Sequence, residues 1–174
     1  MTTQNMTLLF AVLALVAQAI AVTVVVAALS GRRDVLRRAV GTYTLAAATA
    51  VAFTAMLGSL YLSEVANFPP CRLCWFQRIA MYPLVPLLGL AAVRRDQEIR
   101  LYGILLAAIG VPISIWHLLV ERFPTLEGTS CDPANPCSII WVERFGFLTI
   151  PAMALSGFVA IIALLSISPP SESS

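Results

Sequence analysis

Apolar residues in this chain gather into long, nearly unbroken runs, with neither the one-sided stripe of a surface helix nor the alternation of a half-buried strand. Five runs bounded by charge or proline cover about residues 7 to 30, 39 to 63, 73 to 93, 100 to 120 and 149 to 168. Each is near the roughly 20 residues that a helix needs to cross hydrocarbon. An isolated strand would leave its backbone groups unpaired in lipid, so the runs predict helices and an all-α membrane protein. The first run follows no basic residue and exceeds the roughly 7–15 apolar residues of a signal peptide, so it reads as a retained transmembrane helix. Neither a repeat nor a linker interrupts the series, which predicts a single bundle. Pro69 and Pro70 mark the start of the third run, while Pro83 and Pro86 within it and Pro112 in the fourth are positions where a helix can kink.

Charge orients the bundle. Arg32, Arg33, Arg37 and Arg38 lie in the first connection and Arg94, Arg95 and Arg100 in the third, which puts those two connections on the cytoplasmic side. Alternation then places the N-terminus outside, the tail from Ser168 to Ser174 inside, and two cysteine-bearing connections, near residues 64 to 74 and 121 to 148, on the extracytoplasmic side. With 59% apolar and 11% charged residues, the chain has too much apolar surface for a soluble globule, whose usual shares are about 45–50% and about 25%. The net charge is only +2, and the basic residues are scattered among short connections, so no nucleic-acid partner is implied.

The four cysteines fall into two pairs. Cys71 and Cys74 form a C-x-x-C at a predicted helix N-terminus, where free N–H groups and the helix dipole favour a thiolate. Arg78 follows Cys74 by four residues, one turn deeper on the same face, and adds a positive field. Plainer readings are a structural disulfide for the pair and a snorkelling side chain for Arg78. Cys131 and Cys137 bracket Asp-Pro-Ala-Asn-Pro, whose Asp132-Pro133 and Asn135-Pro136 supply turns. A bond closing so short a loop on an exposed connection suits exchange better than bracing, although extracellular loops also carry such bonds as clips. Zinc is the other use for four thiols, but the C-x5-C spacing is wider than a usual knuckle and outward-facing thiols oxidise readily, so no metal site is expected. Two thiol pairs at one membrane face suit electrons passing from a soluble partner toward an acceptor in lipid. The chain carries no flavin, haem or nucleotide motif, and by elimination the chemical candidate for that acceptor is a quinone.

Pro70-Cys71-Arg72-Leu73-Cys74-Trp75-Phe76-Gln77-Arg78 resembles the P-C-x-L-C-W-x-Q-R signature of the disulfide bond formation protein B family (DsbB), in its shorter BdbC-like branch. Gly58 to Glu64, Ser114-Ile115-Trp116-His117 and Phe145 to Pro151 resemble that branch as well, so the likeness covers about residues 40 to 168. It implies a four-helix transmembrane redox domain over residues 39–168, with an additional N-terminal transmembrane helix and Arg-rich connection over 1–38 and a cytoplasmic tail over 169–174. The activity implied is that of a thiol:quinone oxidoreductase in the bacterial cell membrane. It would reoxidise a thioredoxin-like DsbA- or BdbD-type dithiol protein and reduce a membrane quinone, ubiquinone or menaquinone.

Carried over by residue, the resemblance implies that the partner's thiolate attacks Cys131 and releases Cys137, which then attacks Cys71. Freed Cys74 would meet the quinone beside Arg78, and His117, the only histidine, would also lie at the quinone. A vitamin K epoxide reductase-like protein is the neighbouring alternative, but its C-x-x-C belongs in a late helix, whereas here it precedes the C-x5-C. A noncatalytic membrane protein with structural disulfides is the alternative from another class. Trp75, Phe76, Trp116 and Trp141 suit an interfacial belt, and residues 138 to 147 suit a segment lying flat on the membrane that keeps the pairs together. The helix at about 7 to 30 departs from the family pattern. Its small residues Ala17, Ala21 and Ala28 offer a face for packing, the alternative being contact with another protein, and nothing in it suggests catalysis.

Overall fold

The computed structural model describes residues 3–129 and 131–167, which are largely helical. Residues 168–174, and with them the expected tail, lie outside the described residues. The helices are α1 (Thr3–Leu29), α2 (Arg33–Val40), α3 (Thr44–Leu60), α4 (Arg72–Met81), α5 (Leu84–Arg94), α6 (Arg100–Arg122) and α7 (Ile150–Ser166). A short antiparallel pair, β1 (Glu143–Arg144) and β2 (Leu148–Thr149), sets Glu143 opposite Thr149.

Four helical stretches are long and apolar enough to cross a membrane: Thr3–Leu29, Arg33–Val65, Arg72–Arg94 and Arg100–Arg122. The Arg-rich connection is itself helical. It forms α2, joins α3 through a 3₁₀ turn at Gly41–Tyr43, and α3 runs on into a π-helical turn at Tyr61–Val65. The third run divides at Tyr82–Pro83, since Pro83 has no N–H with which to continue the ladder of α4. Pro86 falls in the first turn of α5, where a missing donor costs nothing, and α6 passes through Pro112 unbroken. The fifth run is helical for 17 residues, at the short end of the roughly 17–25 that a spanning helix uses. Protein covers much of it: α7 packs against α6, α1 and α3, and Phe158, Ile161 and Leu165 on it are fully buried.

The core joins α7 to Leu45, Ala48 and Ala52 of α3, Leu84 and Leu88 of α5 and Ala107 of α6. Gly110 of α6 makes room for the Phe158 ring, because a Cβ there would sit 2.3 Å from Phe158 Cζ. The additional helix α1 buries Thr7, Ala11, Ala14, Ala17 and Ala21, a stripe of small side chains that lets it approach α7 closely. Ala17 and Ala21 thus pack as expected, whereas Ala28 is exposed. Gln18 Nε2 donates to Ser156 Oγ at 2.9 Å across this contact. At one end of α7, Arg33 donates to the Ser166 carbonyl. At the other end Thr149 Oγ1 donates to Glu121 Oε2 at 2.6 Å, and this is the end that carries the cysteines.

Candidate active site

The first cysteine pair is shaped by the start of α4. Cys71 is its N-cap, with extended backbone, and its Sγ accepts from the Cys74 N–H at 3.4 Å, so sulfur takes the place of the usual capping oxygen. Both are free thiols with Sγ atoms 3.1 Å apart. That is nearer than the roughly 3.8 Å between two thiolates sharing a tetrahedral zinc at Zn–S of about 2.3 Å. It is about 1 Å short of a disulfide. The Cys71 thiol is lowered to about 4, above all by the hydrogen bond it shares with Cys74; burial opposes this, and the contact and charge of His117 reinforce it.

The second pair is joined as a Cys131–Cys137 disulfide. The loop turns at 132–135, where the Asn135 N–H donates to the Asp132 carbonyl at 2.9 Å and the Ala134 N–H to Asp132 Oδ1 at 2.9 Å. The connection is exposed at 132–134, as the sequence predicts, but the cysteines themselves are turned inward, Cys131 being only 6% exposed and Cys137 1%. Burial follows from anchors distant in sequence. Glu127 accepts from the Cys137 N–H and from Ser138 Oγ, Asn135 Nδ2 donates to the Pro70 carbonyl at 3.1 Å, and Trp141 stacks on Phe68 at 5.3 Å. Residues 138–147 form turns and β1, and the contacts of Glu127, Asn135 and Trp141 hold the loop over the start of α4.

His117 stands between the two pairs. Its Nε2 is 3.7 Å from Cys71 Sγ and 3.2 Å from the Cys137 carbonyl oxygen, and its Nδ1 is 3.4 Å from the Gln77 side-chain amide. Cys71, Cys131 and Cys137 also share a small apolar cluster with Leu73 and Val120. The structure therefore brings all four cysteines to one end of the bundle.

On the other side of the C-x-x-C, Cys74 and Arg78 border a cavity of about 340 Å³ lined mostly by apolar side chains of α1, α3, α4 and α7. Arg78 is buried, and its Nε and Nη2 donate to Ser59 Oγ and Ser59 O, each at 2.9 Å. The guanidinium lies over the Trp75 ring at 5.1 Å, and among the described residues no carboxylate pairs with it. A buried cation without a counter-ion favours any negative charge that arrives or develops beside it. His117 does not line this cavity; it lines a smaller cleft with Cys71 and Cys137. Sequence reasoning missed Ser59 and Glu127 and left Gln77 without a role. Ser59 lies inside a stretch that resembles the family, but a loop glutamate such as Glu127 carries no local mark of what it will hold.

Apposed dithiol and disulfide at the end of a membrane bundle can pass a bond from one sulfur pair to the other, and this defines the class as membrane thiol–disulfide oxidoreductases. The model for "Disulfide bond formation protein DsbB" matches residues 37–167, and the chain belongs to that family. It is 47% identical over 122 residues to "Disulfide bond formation protein C" of Bacillus subtilis (strain 168), covering 70% of this chain and 88% of that one. It is 43% identical over 126 residues to "Probable disulfide formation protein C 2" of Bacillus anthracis, covering 72% and 90%. No solved structure matches the chain. The protein is a disulfide-generating membrane oxidoreductase.

Proposed function

We propose that this oxidoreductase accepts two electrons from an extracytoplasmic, thioredoxin-like dithiol protein of DsbA or BdbD type and delivers them to a membrane quinone. The observation that carries the reading is the position of Cys74 and Arg78 on an apolar cavity while Cys71, one turn away, faces the Cys131–Cys137 disulfide through His117. The redox unit is residues 39–168, and the Arg-rich connections put its cysteine end outside the cell membrane.

The partner's thiolate attacks Cys131, breaking the Cys131–Cys137 bond and releasing Cys137 as a thiol. The partner's second thiol resolves the mixed disulfide, leaving the partner oxidised and the pair reduced. Cys137 then attacks Cys71 of an oxidised Cys71–Cys74 pair, and Cys131 closes on Cys137, so two electrons and two protons come to rest on Cys71 and Cys74. His117, in reach of Cys71 Sγ and of the Cys137 backbone, is suited to hold the proton that changes owner in this step. Cys74, Arg78 and the apolar walls fit a quinone: the cavity is within the roughly 300–1,000 Å³ range of small-molecule sites, and its one buried cation has no carboxylate among the described residues. A bound quinone supplies the two-electron, two-proton oxidation that remakes the Cys71–Cys74 bond. Arg78 steadies the negative charge of that step, and Ser59 keeps the guanidinium in position.

Purified protein mixed with a reduced thioredoxin-like partner and a quinone tests the reading by quinol absorbance. Cysteine-dependent quinol formation is expected, with turnover lowered about 100-fold in Arg78→Met while the partner still reduces the Cys131–Cys137 bond. Absence of quinol with every donor and quinone would reject the proposal.

A further inference from the structure

One wall of the cavity at Cys74 and Arg78 comes from α1, which lies outside the family match beginning at residue 37. The Bacillus anthracis relative is matched over 126 residues that make up 90% of it, so about 14 of its residues remain, fewer than the 27 of α1. The wall is therefore an addition of this chain relative to that protein.

The attachments of α1 are one-sided. Arg144 Nη2 donates to Thr7 Oγ1 at 2.6 Å and to the Gln4 carbonyl at 3.0 Å, Gln18 bonds Ser156, and the small-residue stripe lies on α7. On the α3 side the Phe10 ring lies edge-on to Tyr61 at 5.9 Å and leaves only 3.3 Å to a Cβ built on Gly58. Further along α1, Leu13 and Val16 line the cavity while being 38% and 50% exposed, and Ala50, Val51 and Thr54 of α3 share the lining. Ala50 is nine residues before Ser59, so the lining extends about 13 Å along α3 from the level of Arg78's partner, at about 1.5 Å per residue. Cys74, Gln77, Arg78 and Ser59 gather at the thiol end, and the far part is mainly apolar, with Thr54 and Tyr82 as its polar members, and open at its side.

We infer that α1 and α3 form a lateral slot for the isoprenoid tail of the quinone, which makes α1 a determinant of which tailed acceptors the enzyme uses. The inference rests on the quinone reading above. An apolar slot continuous with a site for a polar redox ring matches the shape of a molecule with a polar ring and a long hydrocarbon chain. Its half-exposed side gives that chain a way out into lipid.

The test uses the full-length protein in lipid nanodiscs with a polyprenyl naphthoquinone and the tail-less methylnaphthoquinone, comparing wild type with Leu13→Trp and Val16→Trp. Both positions line the slot from the partly exposed face of α1, outside the buried small-residue stripe that meets α7. The expected result is a KM about tenfold higher for the tailed quinone, with the tail-less quinone and the single-turnover reduction of Cys71–Cys74 by the partner unchanged. Unchanged kinetics with both quinones, or equal losses with both, would overturn the slot while leaving the quinone reading intact. Failure of the wild type to reduce either quinone would instead remove the reading on which the slot rests.

Discussion

Cys71 concentrates several effects in one atom. As N-cap it receives the Cys74 N–H, it shares a proton with the Cys74 thiol, and it has His117 at 3.7 Å, so its thiol is lowered to about 4. The thiolate form therefore persists above about pH 4 and is lost as pH falls through that value. In protein with the Cys131–Cys137 bond intact, ultraviolet thiolate absorbance should titrate in with a first midpoint near 4, and His117→Phe should move that midpoint upward. An unchanged midpoint in the variant would remove His117 from the stabilisation of this thiolate. The helix-start effect on the cysteine pair was legible from the C-x-x-C placement. The sulfur that feels His117 was not, because residues 46 apart in sequence meet only when α4 and α6 pack.

Among the helices, small residues decide how closely neighbours approach. Gly110 and Gly103 both lie on the buried face of α6, but their surroundings differ. At Gly110 a new methyl would meet three atoms of the Phe158 ring between 2.3 and 2.6 Å, and that ring is fully buried. At Gly103 it would meet terminal methyls of Leu165 and Leu88 at 2.8 Å, equally buried but at the ends of flexible chains that shift more easily than a ring. Gly110→Ala should therefore cost about 1–3 kcal/mol and Gly103→Ala less, read as the difference in thermal unfolding midpoint in one detergent. Equal losses would mean that the Phe158 ring yields as easily as the leucine tips. Helix existence was readable from the apolar runs. The division at Pro83 and the passage through Pro112 depended on which helix positions those prolines occupy.

Across the bundle, the polarity of the Arg-bearing and cysteine-bearing ends makes a topological prediction. In a cysteine-free background, Glu143→Cys should react with a membrane-impermeant thiol reagent on intact cells, and Glu98→Cys only after permeabilisation; the reverse pattern would invert the assigned orientation. Spans, motif spacing and charge bias are local properties of the chain, and a bilayer reads them almost directly: an apolar segment of about 20 residues has few alternatives to a helix. Hence the all-α class, the four cysteines and Arg78 could be named from residues alone. Folding supplied what depends on register between distant segments. It set Asn135 against Pro70, 65 residues away, and Arg144 against Thr7, 137 away, burying the Cys131–Cys137 bond and leaning α1 on α7 so that it completes a cavity. No periodicity encodes such meetings, since each depends on how side chains from separate helices fill shared space.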